Sequence, residues 1–128
     1  MAIESNLDCR GMWSASADLS AKQFHFVKMS GNGTVDVCAA ITDSPIGILQ
    51  NNPTSGQAAI VAVAGLSKVV ANATLAAGDI IGTSADAQAD PIVNGVDVTV
   101  FICGQAVTAA AAGDTVEVEL NITNTLAT

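Results

Sequence analysis

Aromatic residues are scarce in this chain. Its 128 residues include one Trp, three Phe and no Tyr, although half of all residues are hydrophobic. The apolar residues are therefore mostly Ala, Val and Ile, and they must form a core of small, closely packed side chains. Because β-branched residues favour strands, the composition predicts an all-β fold, and the length fits a single domain.

Positive charge is also scarce, and it is unevenly distributed. The four basic residues, Arg10, Lys22, Lys28 and Lys68, precede a stretch of 60 residues with seven acids and no Lys or Arg, and the net charge is −8. Nucleic acids and anionic membranes are bound through basic surfaces. We therefore expect neither partner, and we interpret the acidity as an aid to solubility.

Cysteine and histidine are too few for a disulfide scaffold or a zinc site. Cys9, Cys38 and Cys103 are widely spaced, and His25 is the single histidine. We expect free thiols, made in a reducing compartment. The N-terminal residues lack the apolar core of a secretory signal, so we expect cytoplasmic synthesis. The most apolar stretch, 58–66, is about half the length that crosses a bilayer.

The first half of the chain shows strand and turn signals. Alternation from Lys22, a Gly- and Asn-rich turn at 30–34 and a second apolar run predict a hairpin. A short strand at 47–50 and a loop at 51–56 follow. Residues 57–64 are apolar on both faces, which predicts a strand covered on both sides or buried at a subunit contact, with a turn at Gly65.

Two later segments alternate most regularly, 96–103 and 115–122. The first predicts a strand with Val96, Val98, Val100 and Ile102 facing inward. The second predicts a strand with Val116, Val118 and Leu120 facing inward and with Glu117, Glu119 and Asn121 facing outward.

The sequence Ala-Ala-Gly-Asp occurs twice, at 76–79 and 111–114, each time before a predicted strand. Gly supplies positive φ and Asp bonds to nearby amides, so we interpret this as one turn used twice. Residues 107–112 predict a short helix ended by Gly113. Seven to nine short strands with regular turns predict a compact β-barrel or β-sandwich with at most one or two short helices.

The first 21 residues show neither alternation nor a helical stripe. We interpret residues 1–21 as an extended N-terminal arm, with a helical turn at 16–21 left open, and residues 22–128 as a single β-rich domain. Trp13 has two interpretations: it caps the core of its own module, or it anchors the arm in a neighbouring subunit.

No catalytic arrangement is expected. His25 lies between Phe24 and Phe26 without a Ser or Cys motif nearby, so we expect a strand histidine facing water or a subunit neighbour. Glu117 and Glu119 share one face of a strand, a spacing that alternation on a solvated face produces in any case.

Phosphate and metal sites are not expected either. The segment 65–68 lacks the second Gly-Lys pair of a P-loop. Asp86 and Asp90 lack the third acid and the closing Glu of a calcium loop. We expect a protein that is not an enzyme and that has no catalytic residue, no metal and no cofactor.

Three segments carry a family resemblance: GILQNNPTSGQAAIVAVAGLSKVVA at 47–71, LAAGDIIGTSADAQA at 75–89 and GQAVTAAAAGDTVEVEL at 104–120. In order and spacing, the chain resembles the capsid decoration (cement) proteins of tailed bacteriophages. The resemblance implies a β-tulip-like fold that binds the outer surface of the icosahedral capsid, commonly as a homotrimer. The sequence departs from it at Asn72 and Ala87, where we expect Gly in relatives.

The resemblance implies a structural virion protein that clamps neighbouring subunits of the major capsid protein, without direct nucleic-acid contact. We expect the arm to add a strand to the shell. Its capsid-binding candidates are Leu7, Arg10, Met12 and Trp13. The candidates for the oligomer contact are Ile60, Val61, Val63 and Leu66. The alternatives are a head-fibre, tail or pilus subunit and, from another class, a nucleotide-binding protein or enzyme.

Overall fold

A computed structural model describes residues 5–127. It contains nine strands and, within those residues, no α-helix, which confirms the all-β fold. No helix of the described part is long and apolar enough to cross a membrane. The strands are β1 Ser5–Ala15, β2 Phe26–Gly31, β3 Thr34–Val37, β4 Gly47–Leu49, β5 Ala58–Val70, β6 Ile80–Thr83, β7 Ala89–Pro91, β8 Gly104–Ala106 and β9 Thr115–Asn121.

Strand β5 is the centre of the sheet. One of its edges pairs with β1, and the other pairs first with β4 and then with β9. Because β1 also pairs with β3, the order β1-β3-β2-β4-β5 closes on itself. We call these strands the five-strand ring. The C-terminal part of β5 continues into β9-β8-β6-β7, which we call the second lobe.

The predicted hairpin is confirmed as β2 and β3, which pair antiparallel around a turn with Gly33 at φ 70°. The strand begins at Phe26, later than the alternation from Lys22 predicts, because Phe24 has a φ of 64° and interrupts the extended backbone. The short strand β4 is also confirmed.

The predicted turn at Gly65 is wrong. Gly65 has a φ of 102° but lies within β5, opposite Leu120 of β9. The pairing with β9 runs without interruption from Ala64 to Val70, while Ala62 still pairs with β4. A positive φ at glycine therefore bends the strand between its two partners and does not reverse it.

The repeated Ala-Ala-Gly-Asp sequence forms two equivalent turns. Gly78 has a φ of 96° and donates to the Ala106 carbonyl at 2.7 Å, and Gly113 has a φ of 88° and donates to the Ala71 carbonyl at 2.8 Å. In return, the Ala106 amide donates to the carbonyl of Asp79. The predicted shared turn is confirmed, and each turn closes on the strand that precedes the other.

A local two-fold relation follows from these bonds. Leu75 and Ala110 exchange backbone hydrogen bonds at 2.9 and 3.0 Å, and each stands just before one of the two turns. The segment 70–79 thus corresponds to 105–114. The predicted helix at 107–112 is wrong, because Ala110 uses its amide and carbonyl in this extended pair.

The predicted strand at 96–103 is also wrong. Val96 is 72% exposed and Val98 is exposed, whereas Val100 is 6% exposed. Residues 92–100 form a loop whose two ends meet over Gly82: a Cβ there would lie 2.5 Å from Val100 and 3.1 Å from Ile92. Within the described residues, Phe101 makes only an isolated bridge with Leu126.

The predicted strand at 115–122 is confirmed as β9, with Val116, Val118 and Leu120 buried. Glu117, however, is 7% exposed and does not face outward as predicted. The chain after β8 covers it: Val107 donates to its carbonyl at 2.9 Å, and its amide donates to the Thr108 hydroxyl at 3.3 Å.

Two apolar clusters fill the molecule. The larger spans both parts of the sheet and contains Phe26, Cys38, Ile48, Ala62, Val69, Ala71, Leu75, Ile81, Ala87, Ala89, Cys103, Ala106, Val116, Val118 and Leu120. The smaller contains Ala15, Leu19, Val27, Val35, Leu49, Ala59 and Val61. Neighbouring residues of β2, β4 and β5 alternate between the clusters, as side chains of a strand do.

Candidate attachment surface on strand β1

Strand β1 explains why the first residues lack a sequence pattern. Its pairing with β5 shifts register at three places, between Ser5 and Asp8, between Asp8 and Cys9, and between Arg10 and Trp13. Each shift changes which side chains face the core, so no alternation survives. The predicted arm is extended in its described part and pairs with its own sheet. The division of the chain at residue 21 stays a prediction, and residues 1–4 lie outside the described part.

The four capsid-binding candidates fall into two kinds. Leu7 packs against the larger cluster, and Trp13 packs against the smaller one. This packing agrees with the first interpretation of Trp13, in which it caps the core of its own chain. Arg10 is exposed and donates to Asp8 at 2.6 Å, and Met12 is 92% exposed.

All residues from Asp8 to Met12 are exposed, on both faces of the strand. We call residues 8–12 the β1 surface. An ion pair between two half-exposed side chains contributes little stability. The β1 surface therefore combines a large apolar side chain and a polar pair that the fold itself hardly requires.

The edges of β1 differ. Residues 5–14 pair with β5 along one edge, whereas the pairing with β3 includes Ser14 and Ala15 alone within the described chain. The second edge at residues 5–13 has no strand partner among the described residues. Such an edge can accept a strand from another chain.

The candidates for the oligomer contact do not form one surface. Val61 is 0% exposed and belongs to the smaller cluster, so its side chain is not accessible to a second chain in this conformation. Val63 and Leu66 are half-buried, and Ile60 is exposed. A Cβ on Gly11 would lie 4.0 Å from Ile60, which places Ile60 beside the β1 surface.

Comparison with solved structures finds the same fold in a protein of known structure. The crystal structure of the head fiber gp8.5 N base in bacteriophage phi29 is similar, with a TM-score of 0.68 and 19% sequence identity. The match covers 93% of this chain and 98% of that one. The sequence matches no protein-family model and no curated protein.

The likeness concerns the fold. At 19% identity it carries no residue roles, and the narrower resemblance to decoration proteins stays a prediction.

His25 is held between the two parts of the molecule. It is 8% exposed, so the prediction that it faces water or a neighbouring subunit is wrong. Nδ1 lies 3.0 Å from the Gln23 carbonyl, and Nε2 lies 3.3 Å from the Gln88 amide nitrogen. These partners suit a neutral ring with its proton on Nδ1. Burial, the largest cause, lowers the pKa of His25.

The buried thiols are chemically quiet. Burial raises the pKa of Cys38 and of Cys103 to about 12, so both remain protonated at neutral pH. Cys38 and Cys103 are free thiols, and Cys9 is exposed on the β1 surface. Within residues 5–127, no three His, Cys, Asp or Glu side chains are placed to hold a metal ion.

Proposed function

We propose that this chain is a structural protein of a bacteriophage virion, carried on the outer surface of the head with the β1 surface against the shell. The observation that carries the proposal is the fold shared with a phage head-fibre base along almost the full length of both chains. The sequence resemblance to capsid decoration proteins supports the same general role.

The charge distribution supports this orientation. Residues 1–68 contain five acids and four bases, whereas residues 69–128 contain acids alone. The nearly neutral part can approach another protein without strong repulsion, and the acidic part is better placed in solvent. The β1 surface belongs to the nearly neutral part.

The open edge of β1 supports a specific form of attachment. A strand from a capsid subunit can pair with residues 5–13 through main-chain hydrogen bonds, which demand little of the sequence. Met12 supplies an apolar side chain at the same place. Several copies attached together would hold more firmly than one, because linked contacts raise the effective concentration.

Two finer roles fit this attachment. In one, the protein clamps neighbouring major capsid subunits and stabilises the shell, as the sequence resemblance implies. In the other, it is the base of a head fibre, and the structural likeness favours this role. A clamp would raise the temperature at which heads release DNA, whereas a fibre base would leave that temperature unchanged and add a projection.

A binding experiment tests the general role. Purified protein is mixed with phage heads that lack it, and the bound fraction is measured by co-sedimentation. Met12→Asp and Arg10→Glu should weaken binding at least about tenfold, because each places an unpaired charge in the contact. Ile41→Asp is the control, since Ile41 is exposed in the loop between β3 and β4. Equal binding by all three variants would contradict the proposed surface.

A further inference from the structure

The chain contains two Asn-Gly pairs, Asn32-Gly33 and Asn94-Gly95. The side-chain amide of asparagine is chemically labile, because the backbone nitrogen of the next residue can attack it. Glycine at the next position has no side chain to obstruct this attack, and it lets the backbone rotate freely. The two pairs share this local chemistry, so a difference in their reactivity arises from the fold around them.

Asn32-Gly33 forms the turn of the β2-β3 hairpin, and the sheet holds this turn in place. Gly31 pairs with Thr34 across it, and the Gly33 carbonyl accepts a hydrogen bond from the Ser14 amide of β1 at 3.0 Å. A reaction that rotates the backbone of the turn would disturb both the hairpin and its contact with β1. The hairpin therefore protects Asn32.

Asn94-Gly95 lies at the tip of the loop 92–100, where neighbouring residues do not cover it. Residues 93–96 are all exposed, with Val93 at 55% and Val96 at 72%. Gly95 has a φ of 81°, and a Cβ on it would meet no other atom within 4 Å. The tip is therefore surrounded by solvent, and its backbone can change conformation without moving the core.

The hydrogen bonds of the tip stay within the tip. The Val96 and Asp97 amides donate to the Val93 carbonyl at 3.1 and 2.9 Å, and the Asp97 carboxylate accepts from the Val93 amide at 2.7 Å. Within residues 5–127, no hydrogen bond engages the Gly95 amide or the Asn94 side chain. Local opening of such a loop costs little free energy, whereas opening a paired hairpin costs more.

We propose that Asn94 is a site of spontaneous deamidation, through which the loop gains a negative charge as the protein ages. The Gly95 nitrogen bonds to Cγ of Asn94, and the bond from Cγ to Nδ2 breaks. Ammonia leaves with the proton of the Gly95 amide, and a five-membered succinimide ring remains. This attack within one molecule needs only the correct geometry of the reacting atoms.

Water then opens the succinimide, and the two possible products differ in their backbone. Cleavage of the bond between Cγ and the ring nitrogen gives aspartate at position 94. Cleavage of the bond between the backbone carbonyl carbon and that nitrogen gives isoaspartate, whose side-chain carbon has become part of the backbone. In both reactions the hydroxyl of the water goes to the carbon and its hydrogen goes to the nitrogen, so water is the one co-reactant.

The new carboxylate changes a part of the chain that has little charge. Between Pro91 and Gly113 the single charged residue is Asp97, so the reaction doubles the negative charge of this stretch. The isoaspartate form also lengthens the backbone by one carbon. A loop tip without a strand partner accommodates the extra atom, whereas in a hairpin it would disturb the register.

The test incubates full-length purified protein in neutral buffer and follows both sites over several weeks. Peptide mass spectrometry locates each conversion, and protein isoaspartyl methyltransferase measures the isoaspartate. Asn94 should convert at least about tenfold faster than Asn32, because the hairpin must first open locally. In urea, the two rates should become similar, because the fold that separates them is lost.

Two matched variants assign the isoaspartate to its source. Glutamine must close a larger ring and reacts more slowly, so Asn94→Gln should remove most of the isoaspartate and Asn32→Gln should leave it unchanged. Equal rates at the two sites of the folded protein, faster conversion at Asn32, or no conversion at Asn94 would overturn the proposal. The measurement contains no phage heads, so its outcome is independent of the proposed function.

Discussion

The five-strand ring and the second lobe share β5 but achieve their stability differently. In the ring, an eleven-residue strand without sequence periodicity, β1, closes the sheet and contributes Trp13 and Ala15 to the smaller cluster. In the second lobe, two matching Ala-Ala-Gly-Asp turns close the strands on each other, while the regularly alternating segment 96–100 stays outside the sheet. The comparison teaches that alternation alone does not decide whether a segment joins the sheet.

The largest expected effect comes from deleting residues 1–15. The deletion removes the partner of β5 along residues 58–66 and opens the ring. Because domains are stable by only about 5–15 kcal/mol, we expect no cooperative urea unfolding transition by circular dichroism. Met12→Asp, which keeps the strand, should unfold cooperatively. A folded truncated chain would show that β1 is a separable arm.

The next effect is a difference in stability between substitutions at two valines of the loop 92–100. Val100→Ala should lower the free energy of unfolding by about 2 kcal/mol, because Val100 packs over Gly82. Val96→Ala should change it by less than about 0.5 kcal/mol in dilute protein, because Val96 is exposed. If both variants lost the same free energy of unfolding in chemical denaturation, the result would support the predicted strand at 96–103.

A smaller effect is a dependence of stability on pH that arises from His25, at the junction of the five-strand ring and the second lobe. Burial lowers the pKa of folded His25 below its ordinary 6.5, so the folded state binds the proton less readily than the unfolded state. Stability should therefore be full above about pH 6.5 and should fall as the pH drops below it. His25→Gln should reduce this dependence between pH 7 and 5 in urea unfolding. An identical profile in both proteins would contradict the buried, neutral ring.

The smallest effect is a gain in stability at the same junction. Ala87 has a φ of 61°, a conformation that suits glycine, and its carbonyl accepts the Phe26 amide at 2.8 Å. Ala87→Gly should raise the free energy of unfolding by about 0.5 kcal/mol, because relief of about 1–2 kcal/mol of left-handed strain outweighs the loss of about 0.8 kcal/mol from a buried methyl group. Ala89→Gly, at a buried alanine outside that region of φ, is the matched control and should only destabilise the protein. A loss in Ala87→Gly would contradict the strained backbone.

Much of the fold was predictable from local signals. The β2-β3 hairpin, β9 and the paired turns follow from alternation, glycine and aspartate, which act over a few residues. The expectation that relatives have Gly at position 87 also agrees with the positive φ of Ala87. Strand β1 was not predictable as part of the sheet, because its three register shifts erase the alternation.

The candidate site was predictable only in part. Arg10 and Met12, which were predicted as contact residues, are exposed. Val61 is buried, because the burial of a residue in β5 depends on which face of the strand meets the ring. The exposure of Val96 and Val98 was not predicted. The segment was predicted as a core strand because alternation does not reveal which residues cover a face.

The central claim is tested most directly by cryo-electron microscopy of phage heads with and without this protein. The account predicts extra density on the outer surface of decorated heads, with the β1 surface against the shell and the acidic second lobe toward solvent. Identical density in the two preparations, or a chain bound through the second lobe, would contradict it.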